Sequence, residues 1–98
     1  MTMYAITTTS YRAIADASEL QEGETVADVI PVSLLTTLQG AELRRQRDAM
    51  LAACDWTQGA DSPLDATKRA AWASYRTALR NLPQQAGFPD SIIWPMTP

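Results

Sequence analysis

The side chains through which this chain could do chemistry are one thiol, Cys54, and a loose run of acids, Asp48, Asp55, Asp61 and Asp65. There is no histidine, which removes the commonest general base, the Ser–His and Cys–His nucleophile pairs and the commonest metal ligand. A reactive thiol needs a basic partner, and none is indicated for Cys54. It falls on the apolar side of its segment and reads as a small core residue. A lone cysteine supports neither a disulfide framework nor a structural zinc site. The acids do not follow the spacing of a calcium loop and read as caps and turn formers. No glycine-rich phosphate loop is present. These residues point away from an enzyme and call for no cofactor and no metal.

Composition narrows the remaining classes. At 98 residues the chain makes one domain, or one compact unit with an appendage. Such a chain buries only roughly 60–65% of the surface its unfolded form exposes. Stability is therefore expected on the order of 5 kcal/mol, or shared with a partner, and a homodimer could complete the core. Net charge is −3 and uneven. Residues 1–42 carry one base against six acids, a balance of −5, and residues 43–98 carry seven bases against five acids, a balance of +2. The bases are too few and too mixed with acids for a nucleic-acid surface. No run approaches the roughly 18–20 apolar residues of a membrane span. The N-terminus has no basic flank ahead of an apolar run, so no signal peptide is read and a cytoplasm is the default compartment.

The elements that would position these residues form an α+β chain. Residues 1–40 read as a β-rich part, a hairpin or three-stranded unit. Tyr4 and Ile6 alternate with Ala5 and Thr7, Tyr11–Ile14 is a second strand, and Thr25–Ile30 a third, with Val26 and Ile30 or Val29 as its buried side chains. Gly23 sits in a turn, and Asp16–Leu20 has an alternative reading as a helical turn. Ser33 is placed to cap a helix bearing Leu34, Leu35 and Leu38, which either stops at Gly40 or runs through it. Residues 41–98 read as an antiparallel helical hairpin with an extended tail. Its first helix, Ala41–Cys54, allows Arg44 to pair with Asp48, and its second, Ala66–Leu82, is capped by Asp65 and carries the stripe Trp72, Tyr75, Leu79, Leu82. Ala49, Ala52, Ala53, Ala70, Ala71 and Ala78 would allow the helices to approach closely.

An RDxxL-like segment leads into DWTQ, an acidic turn and PL; WxxYRxxLR, a proline and GFPDxIxWPxxP follow. That order, from about Leu43 to Pro98, resembles the phage tail assembly chaperone family. It is also similar to the C-terminal part of tail fibre assembly proteins. The N-terminal part looks like the short β-rich, GET-containing leader of some members. The resemblance implies a non-enzymatic protein that assists folding, trimerisation or attachment of the tail fibre or another tail component in the cytoplasm of a bacterial host. The alternative is a structural fibre-tip or adaptor subunit retained in the finished particle.

Candidate client-binding residues follow, each beside a plainer reading. Trp56 is either core or client contact. Arg76 and Arg80 read as a solvated face, with client contact as the sharper alternative. Ile92, Ile93 and Trp94 lie in a tail too apolar for a free linker, which either packs back on the hairpin or meets the client. The Trp72–Tyr75–Leu79 stripe reads as core.

Overall fold

The computed structural model describes residues 2–98; Met1, the first residue of the β-rich part, lies outside them. Strands β1 (Met3–Ile6), β2 (Tyr11–Ile14) and β3 (Thr25–Ala27) precede helices α1 (Val32–Ala53) and α2 (Ala66–Arg80). Single 3-10 turns occupy Ala17–Glu19, Asp55–Gln58 and Leu82–Gln84. The fold is α+β. The chain divides into two compact units, one ending at Gln39 and the other Gly40–Pro98.

In the first unit the sheet order is β2–β1–β3, antiparallel throughout. Met3 pairs with Ile14 and Ile6 with Tyr11, while Tyr4 pairs with Ala27 on the other edge. The β-branched run Thr7–Thr9 makes the turn. The Thr7 N–H donates to the Ser10 carbonyl at 2.9 Å, and the two hydroxyls meet at 2.7 Å. Ala5, Ile14 and Leu34 are the buried apolar side chains. The helical reading of Asp16–Leu20 holds. Asp16 accepts from the Ser18 N–H at 2.7 Å, and Glu19 reaches back to the Asp16 N–H at 2.9 Å, a reciprocal cap. Gly23 has φ +84° in the Gln21–Glu24 turn, where a side chain would be strained. Arg12 of β2 grips Glu24 through Nε (3.0 Å) and Nη2 (2.8 Å) and also donates to the Glu19 carbonyl.

Two expectations for this unit are corrected. Val26 and Val29 are exposed, Val29 at 76%, because the third strand is a three-residue edge that ends before Val29. Ser33 is not the cap. The Leu34 and Leu35 N–H groups both donate to the Pro31 carbonyl, so the helix opens at Val32 with Ser33 inside its first turn.

In the second unit α1 continues through Gly40. A Cβ there would stand 3.3 Å from Phe88 Cε1 and 3.4 Å from Arg44 Nη1. Glycine costs a helix about 1 kcal/mol relative to alanine, and here it lets the Phe88 ring lie against the backbone. The Arg44 guanidinium stands over that ring at 5.0 Å. Asp48 therefore pairs with Arg47 (2.9 Å) rather than with Arg44.

Asp65 caps α2 by accepting from the Lys68 N–H at 2.8 Å. Cys54, Tyr75 and Leu79 form the buried cluster, with Met50, Leu51, Trp72 and Trp94 packed against it; Leu82 and Thr57 are fully buried. The six alanines offered for close helix approach are all exposed. The helices meet instead through large side chains, and small residues on an outward face bring nothing together.

Candidate protein-contact surface

The loop after α1 is fixed residue by residue. The Asp55 carboxylate accepts from Arg76 Nη2 at 2.7 Å. Thr57 donates its hydroxyl to the Cys54 carbonyl at 2.7 Å, and the Gln58 amide donates to the Arg69 carbonyl at 3.1 Å. The Trp56 ring lies 6.2 Å from Trp72, which stands edge-on to Tyr75 at 5.6 Å. This aromatic series leads from the surface, where Trp56 is 53% exposed, into the core at Tyr75.

Arg76 is where the structure departs furthest from the sequence reading. A solvated face was expected, yet the residue is only 8% exposed. Its Nη1 donates to the Leu51 carbonyl at 2.8 Å and to Cys54 Sγ at 3.1 Å, and its Nη2 meets Asp55. The Asp55 hydrogen bond is the main cause holding this guanidinium above the usual arginine value, against the desolvation that opposes it. Cys54 thus does have a cationic neighbour, but a guanidinium does not take up a proton, and the thiol is buried. The cluster joins the end of α1 to α2 and has no exposed nucleophile. Arg80 remains exposed.

The tail is irregular but fixed. The Gln85 side chain clasps the Ile93 backbone, donating from Nε2 to its carbonyl and accepting at Oε1 from its N–H, both at 2.8 Å. The Ser91 N–H donates to the Gly87 carbonyl at 2.8 Å. Trp94 packs against the core cluster and Ile92 is half-buried, while Ile93 is 80% exposed and Met96 91%. The candidate residues therefore separate. Arg76 and Trp94 face inward; Trp56, Arg80 and Ile93 face solvent. Met96 was missed, as was a cleft of about 410 Å³ lined by Thr67, Lys68, Ala71, Trp72 and Pro98. Its four helical residues, at i, i+1, i+4 and i+5, share one flank of α2, a pattern present in the sequence beside the stripe that drew attention.

The family model described as phage tail assembly chaperone protein matches residues 40–98. The chain belongs to the phage tail assembly chaperone family. No curated protein and no solved structure matches it. In this chaperone the matched residues carry the Arg76 cluster, the clasped tail and the exposed Trp56, Ile93 and Met96. Its role lies in tail assembly, through interaction with tail proteins. No helix among the described residues is long and apolar enough to cross a membrane.

Proposed function

We propose that this protein is a non-enzymatic chaperone for the tail fibre, aiding its folding, trimerisation or attachment in the cytoplasm of the bacterial host. The observation that carries this reading is the exposure of Trp56, Ile93 and Met96 on the unit that the family match covers. A trimeric fibre exposes apolar surface and strand edges before its chains register, and transient cover suppresses aggregation at that stage. Trp56 and Ile93 make the apolar contact, with Ile92 at its edge and Arg80 adding charge. Arg76 and Trp94 act from within, by holding the loop and the tail that carry the contact residues.

Co-expression of a fibre gene with and without this protein tests the reading. The expected result is a higher yield of trimeric, SDS-resistant fibre with the protein present, and its absence from purified particles by mass spectrometry. Equal fibre yields would overturn the chaperone role. Stoichiometric presence in particles would make it a retained adaptor.

A further inference from the structure

The chain after α2 closes a loop on itself. At the base of the loop the Gln85 amide holds the Ile93 backbone through two hydrogen bonds of 2.8 Å. Inside it the Phe88 N–H donates to the Gln85 carbonyl at 3.0 Å, and the Ser91 N–H to the Gly87 carbonyl at 2.8 Å. These bonds set the local turns of the loop, but all of them lie within it. By themselves they would let it swing as a unit on its base. The Phe88 ring is what reaches outside, to α1 at Gly40.

The place where that ring sits is shaped for it. Glycine inside a helix weakens the helix and leaves its backbone open, yet Gly40 is buried. A Cβ there would stand 3.3 Å from Phe88 Cε1 and 3.5 Å from Cζ, so the ring lies where a side chain of residue 40 would begin. One helical turn further on, the Arg44 guanidinium covers the ring at 5.0 Å from its centroid, within the reach of a cation–π contact. Asp48, the next acid along that face, is held by Arg47, which leaves Arg44 to the ring. The loop is thus closed at its base by hydrogen bonds and pinned near its middle by an aromatic ring on bare helix backbone.

We propose that Gly40, Phe88 and Arg44 are positioning residues for client contact. They latch the loop to α1 and so fix the path on which Ile92 and the 80% exposed Ile93 are presented. A contact segment held in place beforehand loses less conformational freedom when a partner arrives. The proposal rests on the reading that this chain holds a client through Ile93, and it names what sets the geometry of that contact.

Gly40→Leu tests the latch without touching a contact residue. Leucine is a strong helix former, so α1 is kept, and its side chain takes the place of the ring. Hydrogen exchange of the Phe88, Ser91 and Ile93 amides should quicken by about tenfold or more, while the amides of α2 keep their rates. Phe88→Ala should do the same, and the double variant should be no faster than either single one, because both remove one contact. In the Phe88→Ala background, Gly40→Leu should raise Tm by about 4–8 °C, the gain of replacing a helical glycine once nothing occupies the space. Fibre captured per folded molecule in a pull-down should fall by about fivefold or more in Gly40→Leu, the scale of a contact segment that must be ordered on binding. Loop amides of Gly40→Leu within about twofold of wild type, or single effects that add in the double variant, would overturn the latch. If Gly40→Leu frees the loop yet captures as much fibre as wild type, the positioning role fails and the chaperone reading stands. If wild type captures no fibre, the chaperone reading fails, and the exchange rates, which need no client, decide the latch.

Discussion

Replacing Arg76 by methionine is the sharpest test of how the second unit is held together. The substitution keeps much of the aliphatic stem and removes both arms of the guanidinium. Three contacts go: the Leu51 carbonyl at 2.8 Å, Cys54 Sγ at 3.1 Å and the Asp55 carboxylate at 2.7 Å. Breaking a fully buried ion pair costs about 3–5 kcal/mol, because the abandoned charge has no water. Here Asp55 is 67% exposed, so it stays hydrated, and that part of the penalty is small. The charge-assisted bond to the Leu51 carbonyl is the larger loss, about 1.5–3 kcal/mol. The expected cost is therefore about 2–3 kcal/mol, close to half of a total on the order of 5 kcal/mol. Tm should fall by roughly 10–20 °C, at about 4–8 °C per kcal/mol for a domain of this size. Thermal melts followed by tryptophan fluorescence and far-UV circular dichroism measure it. Asp55→Asn, by the same reasoning, should cost under about 1 kcal/mol. A melting temperature for Arg76→Met within about 2 °C of wild type would refute the argument, as would an Asp55→Asn penalty as large as that of Arg76→Met.

Ile93→Ser should change stability by less than about 0.5 kcal/mol, as for other exposed positions, yet weaken fibre binding in a pull-down; Gln85→Ala should release the tail backbone and weaken the same binding with Ile93 intact. Trp94→Ala should lower stability by about 2 kcal/mol, below the range for a fully buried tryptophan, and unchanged urea unfolding would show that the tail adds nothing to the core. Gly87→Ala brings a Cβ against the Ser91 carbonyl oxygen and within 3.0 Å of Ser91 Cβ, so a loss of about 1–3 kcal/mol is expected from overpacking, read from the same unfolding curves. Acid should loosen the first unit. The Arg12 hydrogen bond, chiefly, depresses the Glu24 carboxyl, and the Ser18 N–H depresses Asp16. Both folded values lie below the unfolded ones, so their stabilisation is complete above about pH 5 and fades as pH falls through the folded values. Strand signals should melt earlier at pH 3 than at pH 7, and Glu24→Gln should reduce that difference.

What the sequence showed clearly was whatever a local rule determines. The stripe Trp72, Tyr75, Leu79, Leu82 follows helical period, and the structure half-buries Trp72 and buries the other three. Asp65 reads as a cap because a short carboxylate before an alanine-rich run has a single obvious use. The strands follow from alternation of β-branched and aromatic residues. The burial of Arg76 was hidden because its carbonyl partner, Leu51, lies 25 residues away and is met only through tertiary approach. A cation in the later turns of a helix already has a sufficient local explanation in the dipole. The Arg44–Asp48 expectation failed for a related reason, since Phe88 from the tail occupies the Arg44 guanidinium. Among the candidate contact residues, Trp56 has polar neighbours in sequence and Trp94 apolar ones, yet neither neighbourhood tells whether the ring is covered. Only packing distinguishes the exposed ring from the one against the core.

The same packing separates the residues that hold the fold from those that could meet a client. Asp55, Thr57, Gln58 and Arg76 spend their polar groups on this chain's own atoms. Ile93 is held by its backbone alone, between the two ends of one glutamine amide, and its side chain lies open. A different side chain at position 93 would leave that clasp unchanged, because the clasp contacts no side-chain atom of Ile93. Trp56 lies at the outer end of an aromatic series whose inner members, Trp72 and Tyr75, already pack together. Contact chemistry can therefore change at these positions with little cost to folding. On the proposed reading, that freedom lets the contact surface follow the client while the Arg76 cluster and the Asp65 cap keep the scaffold constant.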